Sequence, residues 1–167
     1  PLTVLRQETS SGPAAARNLG AQHARGQYLA FLDDDCSVDP GWLKSYAACL
    51  GSTQKDALVG SSANPTPEVI GARVWSLLVA FLYDYWQDAA GNVRIAITNN
   101  CVMARDAFFA AGAFDTAFPK AASEDREFSW RFLAQGFVIG TCPAAQVWHS
   151  QRNLTVVKYL RLQFRYG

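Results

Sequence analysis

The chain has 167 residues, half of them hydrophobic, and its 15 basic and 14 acidic side chains leave a net charge of +1. That length fits one domain, and that apolar content builds a sizeable core without disulfide staples. So even a charge balance gives no electrostatic support to a general nucleic-acid role.

In chain order, Leu2 to Leu5 reads as a strand. Because the chain opens with Pro1 rather than Met, it reads as a fragment whose upstream segment, any targeting signal included, lies outside it. Ser11-Gly12-Pro13 starts a helix, with Pro in the first turn where its missing N–H costs nothing, and Ala14 to Arg25 continues it to Gly26. The apolar run Tyr28 to Leu32 predicts a buried strand. It ends abruptly in Asp33-Asp34-Asp35. Asp39-Pro40 opens a helix through Leu50, stopped by Gly51, and Ala57 to Ser61 reads as a strand. Residues 62–72, with Pro65, Pro67 and Gly71, read as a loop. Val74 to Trp86 is too short for a membrane span of about 20 residues and predicts a buried or half-buried aromatic helix.

After a turn at Ala90-Gly91-Asn92, Val93 to Ala104 is β-rich but ambiguous. Asp106 to Ala111 forms a short helix closed by Gly112. Ser123 caps a helix to Gln135, with Gly136 as its stop. Phe137 to Cys142 and Gln146 to Trp148 are short strands, and Asn153 to Tyr166 is a final helix. Strands alternating with helices predict an α/β domain over 1–167 with a mostly parallel sheet. Cys36, Cys49, Cys101 and Cys142 lack C-x-x-C spacing, which predicts reduced, mostly buried thiols in a cytosolic compartment.

Three constellations carry chemistry. Asp33, Asp34 and Asp35 follow a strand, and ligands of open α/β sheets bind outside the carboxyl ends of strands. Close carboxylates repel one another, and a divalent cation with a taste for oxygen, Mg²⁺ or Mn²⁺, relieves this best. A solvated acidic turn is the alternative. Ser123-Glu124-Asp125-Arg126-Glu127 reads either as dipole-complementing residues of a capped helix or as the source of a general base. His149 sits at a strand end beside Ser150 and Gln151, where a polar site is plausible; His23, beside Gln22 and Arg25, reads as solvated.

These segments sum to a pattern. Ser11 to Gly20, then Gly26 to Asp35, Thr98 to Arg105, Gly112-Ala113-Phe114-Asp115, Glu124-Asp125 and Val147-Trp148-His149 together resemble the inverting family-two glycosyltransferases of GT-A fold. The resemblance spans nearly the whole chain. It implies that Asp33 and Asp35 form the D-x-D signature that holds the diphosphate of a nucleotide-diphosphate sugar through a metal, with Asp35 the more direct ligand and Asp33 also near the ribose. His149 would complete the metal site, and Arg17, Asn18 and Asp34 would line the nucleotide side. Asp125 would be the base, with Glu124 its neighbour.

Two departures stand out. Nothing here matches the family's opening strand–helix–strand unit, so the fold is expected to be N-terminally incomplete. At the other end Gln163-Phe164-Arg165-Tyr166 is only loosely similar to the Q-x-x-R-W of processive members. Within 153–167, Val156, Val157, Leu160 and Phe164 fall on one helical side and Lys158, Arg161 and Arg165 on the other. That pattern suits a packed helix with a basic face or a peripheral contact with an anionic membrane.

The expected activity is metal-assisted transfer of a sugar to a hydroxyl of a glycan or lipid-linked acceptor of a bacterial envelope. The expected place is the cytoplasm, at the inner face of the plasma membrane. The rivals are a non-catalytic nucleotide- or sugar-binding module and an Asp-dependent phosphoryl-transfer enzyme.

Overall fold

The computed structural model describes residues 2–65, 69–118 and 123–150, together with Thr155, Val157 and Arg161. In chain order these form α1 (Gly12–His23), β1 (Tyr28–Leu32), β2 (Cys36–Val38), α2 (Trp42–Ser52), β3 (Ala57–Ala63), α3 (Ile70–Trp86), β4 (Asn100–Ala104), α4 (Arg105–Ala110), α5 (Glu124–Ala134) and β5 (Ile139–His149). The class is α/β, as expected. The described strands make one sheet in the order β1-β4-β3-β5-β2. Strands β1, β3 and β5 run the same way, but β4 lies antiparallel between β1 and β3, and β2 runs antiparallel to β5. Among the described strands β3 and β5 are parallel neighbours, and the sheet is mixed, with β1, β3 and β5 sharing one direction.

The pleat sorts apolar residues to two faces. Leu29, Phe31, Ala57, Val59, Cys101, Met103 and Ile139 point into a core shared with α1, α4 and α5. Leu58, Val102, Cys142 and Val147 point the other way, onto Trp42 and Tyr46 of α2. The first core is built on contacting rings: Phe31, Phe114 and Phe128 each pack on Phe108, and Phe132 packs on Phe128. The α2-side core holds no β1 residue, so Tyr28 and Leu32 stay exposed on a strand the sequence reads as wholly buried.

Other differences have local causes. Leu2 and Val4 are exposed, and residues 2–5 join no strand among the described residues, so the expected first strand is not formed. Gly51 lies inside α2, which ends one residue later. There the hydroxyls of Ser52 and Thr53 donate to the Cys49 carbonyl and satisfy it in place of a glycine cap. Ser123 has a left-handed backbone and makes no side-chain cap on α5. The two strands expected between 137 and 148 are one strand, β5, with a bulge: Cys142 pairs with Gly60, but the next pair is Gln146 with Ser61. Four free thiols were expected; Cys49 of α2 and Cys142 of β5 are instead joined in a disulfide, leaving Cys36 and Cys101 free. The C-terminal helix expected over 153–167 lies outside the described residues except at Thr155, Val157 and Arg161. No helix among the described residues is long and apolar enough to cross a membrane.

Candidate active site

The carboxyl ends of β1 and β5 meet across β2. Leaving β1, the backbone turns tightly, and Cys36 N–H donates to the Asp33 carbonyl at 3.1 Å. Asp34 and Asp35 are thus the central residues of a β-turn, both exposed. The following strand, too short to announce itself in sequence, pairs Cys36 directly with His149. Ser150 N–H then donates to the Asp35 carbonyl at 3.0 Å, tying the turn to the end of β5.

The three aspartates therefore part company. Nε2 of His149, a nearly buried ring, lies 3.1 Å from the Asp35 carboxylate. Asp33 instead accepts from the Arg17 guanidinium at 2.8 Å, and Arg17 also donates to Glu124 at 2.7 Å. Arg17 on α1 is the bridge between the β1 turn and the start of α5. It stays charged: burial works against its charge, but Asp33 and then Glu124 raise its pKa above the ordinary arginine value.

Glu124 is buried in that pair. Its neighbour Asp125 is not paired with Arg17. Burial pushes Asp125 up to about 6, and the Glu124 charge adds to this; the N–H of Arg126 and the charge of Arg17 pull the other way. At that raised value Asp125 can exchange a proton near neutrality.

Asp35, Cys36 and His149 can bring ligand atoms within 4.8 Å of one another. Carboxylate oxygen and imidazole nitrogen suit Mn²⁺ or Mg²⁺. Burial, then Asp33 and Asp35, push the Cys36 thiol up to about 12, so it stands there as neutral sulfur. The donor set fits a divalent cation through Asp35 and His149, while Asp33 is held by Arg17. Asn18 is spent elsewhere: its amide donates to the Phe114 carbonyl at 2.8 Å and accepts from the Phe114 N–H at 3.0 Å, pinning α1 to the turn after α4. His23, exposed on α1, lies within hydrogen-bond distance of the Leu19 carbonyl of its own helix.

Two asparagines that sequence reasoning passed over as parts of a motif support the site. Asn100 accepts from the Trp42 indole at 2.8 Å and from the Tyr46 hydroxyl at 2.9 Å, and donates to the carbonyls of Ser61 and Ala145 at 2.8 Å each. All four hydrogen-bonding positions of its amide are filled. Asn99 lies 3.4 Å from Nδ1 of His149. An adjacent polar pair, Asn99-Asn100, inside the β-rich run Val93 to Ala104 was the available signal. An open hollow of about 740 Å³ lies elsewhere, lined by Trp86, Arg94, Phe137 and Ile139. It sits at the opposite end of β5 from His149, so its size does not mark the chemistry.

Similar proteins share this architecture. Chondroitin synthase from Escherichia coli is 27% identical over 169 aligned residues, covering 82% of this chain and 24% of that protein. A mannosyltransferase from Pyrobaculum calidifontis, solved with GDP-Man and Mn²⁺, superposes with a TM-score of 0.64 at 16% identity, covering 99% of this chain and 47% of that one. GalNAc-T7, solved with UDP, GalNAc and Mn²⁺, gives 0.63 at 18% identity, over 95% and 35%. The chain spans about a quarter to a half of these proteins' lengths. The fold is the GT-A fold. The sequence pattern of glycosyl transferase family 2 matches residues 1–109, more than half of the chain, and the chain belongs to that family.

Proposed function

We propose that this domain transfers a sugar from a nucleotide-diphosphate donor to a hydroxyl of a glycan or lipid-linked acceptor, with inversion. The observation that carries the reading is the Asp33–Arg17–Glu124 bridge, which joins the strand-end acidic turn to the helix bearing Asp125. With Asp35 and His149 beside that turn, a donor-side group and an acceptor-side base belong to one site.

Asp125 takes the proton of the acceptor hydroxyl. The oxygen attacks the anomeric carbon on the face opposite the diphosphate, the sugar–phosphate bond breaks, and the configuration inverts. A pKa near 6 leaves Asp125 mostly ionised at pH 7 yet basic enough to accept a proton. Arg17 engages Glu124 in an ion pair, away from this role, and holds Asp33 toward the donor side. Asp35 and His149 are the residues that would hold Mg²⁺ or Mn²⁺; bound there, the cation would offset charge growing on the departing diphosphate. The Mn²⁺ in two similar structures supports this cofactor for the family's fold.

The test is a donor screen on the protein, reading nucleotide-diphosphate release with and without Mn²⁺. Release that requires Mn²⁺ and an acceptor, with an inverted product, is expected. Donor binding with no turnover on any donor and acceptor would identify a binding module instead.

A further inference from the structure

We infer that Asn99 is a positioning residue for His149, deciding which ring nitrogen carries the proton while Nε2 faces Asp35; this rests on the reading of Asp35 and His149 as metal ligands. The imidazole is held by distinct neighbours. Asn99 Nδ2 lies 3.4 Å from Nδ1, the Asp35 carboxylate lies 3.1 Å from Nε2, and the Trp75 ring meets the imidazole at 80° with centroids 4.9 Å apart. Asn99 is itself buried, and its amide meets the Ser62 hydroxyl of β3 through both its oxygen and its nitrogen, at 3.4 and 3.2 Å. Next to it, the fully bonded Asn100 fixes the backbone from which Asn99 projects.

An amide can offer Nδ1 either an N–H or a carbonyl oxygen, and a hydroxyl can donate or accept, so Ser62 supports both orientations. With Nδ2 toward the ring, Nδ1 accepts, the ring proton sits on Nε2, and His149 donates it to Asp35. The imidazole and the carboxylate are then latched to each other. With the amide turned, its oxygen accepts from Nδ1–H and leaves the Nε2 lone pair facing the Asp35 oxygens. Only the second arrangement ligates a cation through Nε2, and an outer hydrogen bond of this kind fixes both tautomer and ring plane. Rotation of one buried amide thereby couples cation binding to release of the latch.

The experiment is calorimetric titration of Mn²⁺ into wild type, Asn99→Leu, Asn99→Asp and His149→Ala. It is paired with ¹⁵N NMR of the His149 ring in the metal-free and Mg²⁺-loaded wild type. Asn99→Leu, similar in size but unable to hydrogen-bond, is expected to weaken Mn²⁺ binding about 10–100-fold. Asn99→Asp, a permanent acceptor for Nδ1–H, is expected to retain binding within a few-fold. The wild-type ring should carry its proton on Nε2 without metal and on Nδ1 with Mg²⁺. Asn99→Leu binding Mn²⁺ as wild type does, while His149→Ala loses it, overturns the positioning role alone. An unchanged His149→Ala overturns the metal-ligand reading and this inference with it. Should Asn99→Leu fail to fold, a proton on Nδ1 of the metal-free wild type overturns the inference by itself.

Discussion

Asp125 stands in the first turn of α5, where the helix dipole and the N–H of Arg126 both favour its ionised form, and burial beside Glu124 still outweighs them. Its folded value of about 6 lies above the ordinary 3.8, so its burial costs stability increasingly as pH rises from about 4 to about 6. Activity follows the opposite course, because the base works ionised: turnover should rise with pH through about 6 and level off above. Asp125→Asn should keep fold and donor affinity, lose about two to four orders of magnitude in turnover, and remove that rising limb. Stopped assays of nucleotide-diphosphate release across pH check this, and a mutant within a few-fold of wild type would remove Asp125 as the base. Arg17 lowers the Asp125 pKa, so Arg17→Met should move the limb to higher pH. An unmoved limb in that variant would show that Arg17 does not tune the base. Asp33, Asp35, Asp125 and His149 were legible as chemistry because carboxylates and an imidazole stood at element ends. The role of Arg17 was not, because its partners Asp33 and Glu124 lie 16 and 107 residues away in sequence.

Strand β5 reaches the site only by means of its bulge, and the bulge depends on a glycine and an asparagine. A Cβ on Gly60 would fall 2.1 Å from the Ala145 carbonyl and 2.3 Å from Asn100 Nδ2, closer than real contacts allow. Gly60→Ala must therefore displace the bulge. Asn100→Leu would strand the Trp42 donor and two backbone carbonyls, at about 1–3 kcal/mol for each group left unsatisfied, while the Tyr46 hydroxyl keeps the main-chain carbonyl of residue 100. Urea unfolding should show Asn100→Leu less stable by about 3 kcal/mol or more, and a change under 1 kcal/mol would mean water takes over the asparagine's role. The disulfide braces the same region by tying α2 to β5 across a sequence separation of 93. Closing a loop of that length restricts the unfolded chain, so Cys49→Ser with Cys142→Ser should cost roughly 2–5 kcal/mol. Thiol titration of the unfolded, unreduced protein should count two free thiols, Cys36 and Cys101; four would mean the bridge does not form in solution. Elements with clear local signals, such as α1 with its Ser-Gly-Pro start and β1 with its bounded apolar run, were legible almost to the residue. The antiparallel insertion of β4, the pairing of β2 and the bulge were not, because strand neighbours are chosen by tertiary packing rather than by local pattern.

At the scale of the whole molecule, Ile70, Val74, Leu77, Phe81 and Tyr85 lie at helical spacing along α3, and all are exposed. The sequence reads that helix as buried or half-buried because it is apolar nearly all round, but only its other side, with Val79 and the partly buried Tyr83, meets the core. The described sheet also ends at β1, an edge strand with Tyr28 and Leu32 exposed. Apolar stripes and open edges favour association, so the 167-residue chain should self-associate at micromolar concentration. Leu77→Asp with Phe81→Asp should reduce this in sedimentation velocity; a monomeric wild type would refute it. The most direct measurement of the proposed chemistry is calorimetric binding of Mn²⁺ to wild type and Asp35→Asn in the presence of a nucleoside diphosphate. One Mn²⁺ per chain in wild type, weakened at least about tenfold when Asp35 loses its charge, is the predicted result; equal affinity in the two proteins would contradict a metal site at Asp35 and His149.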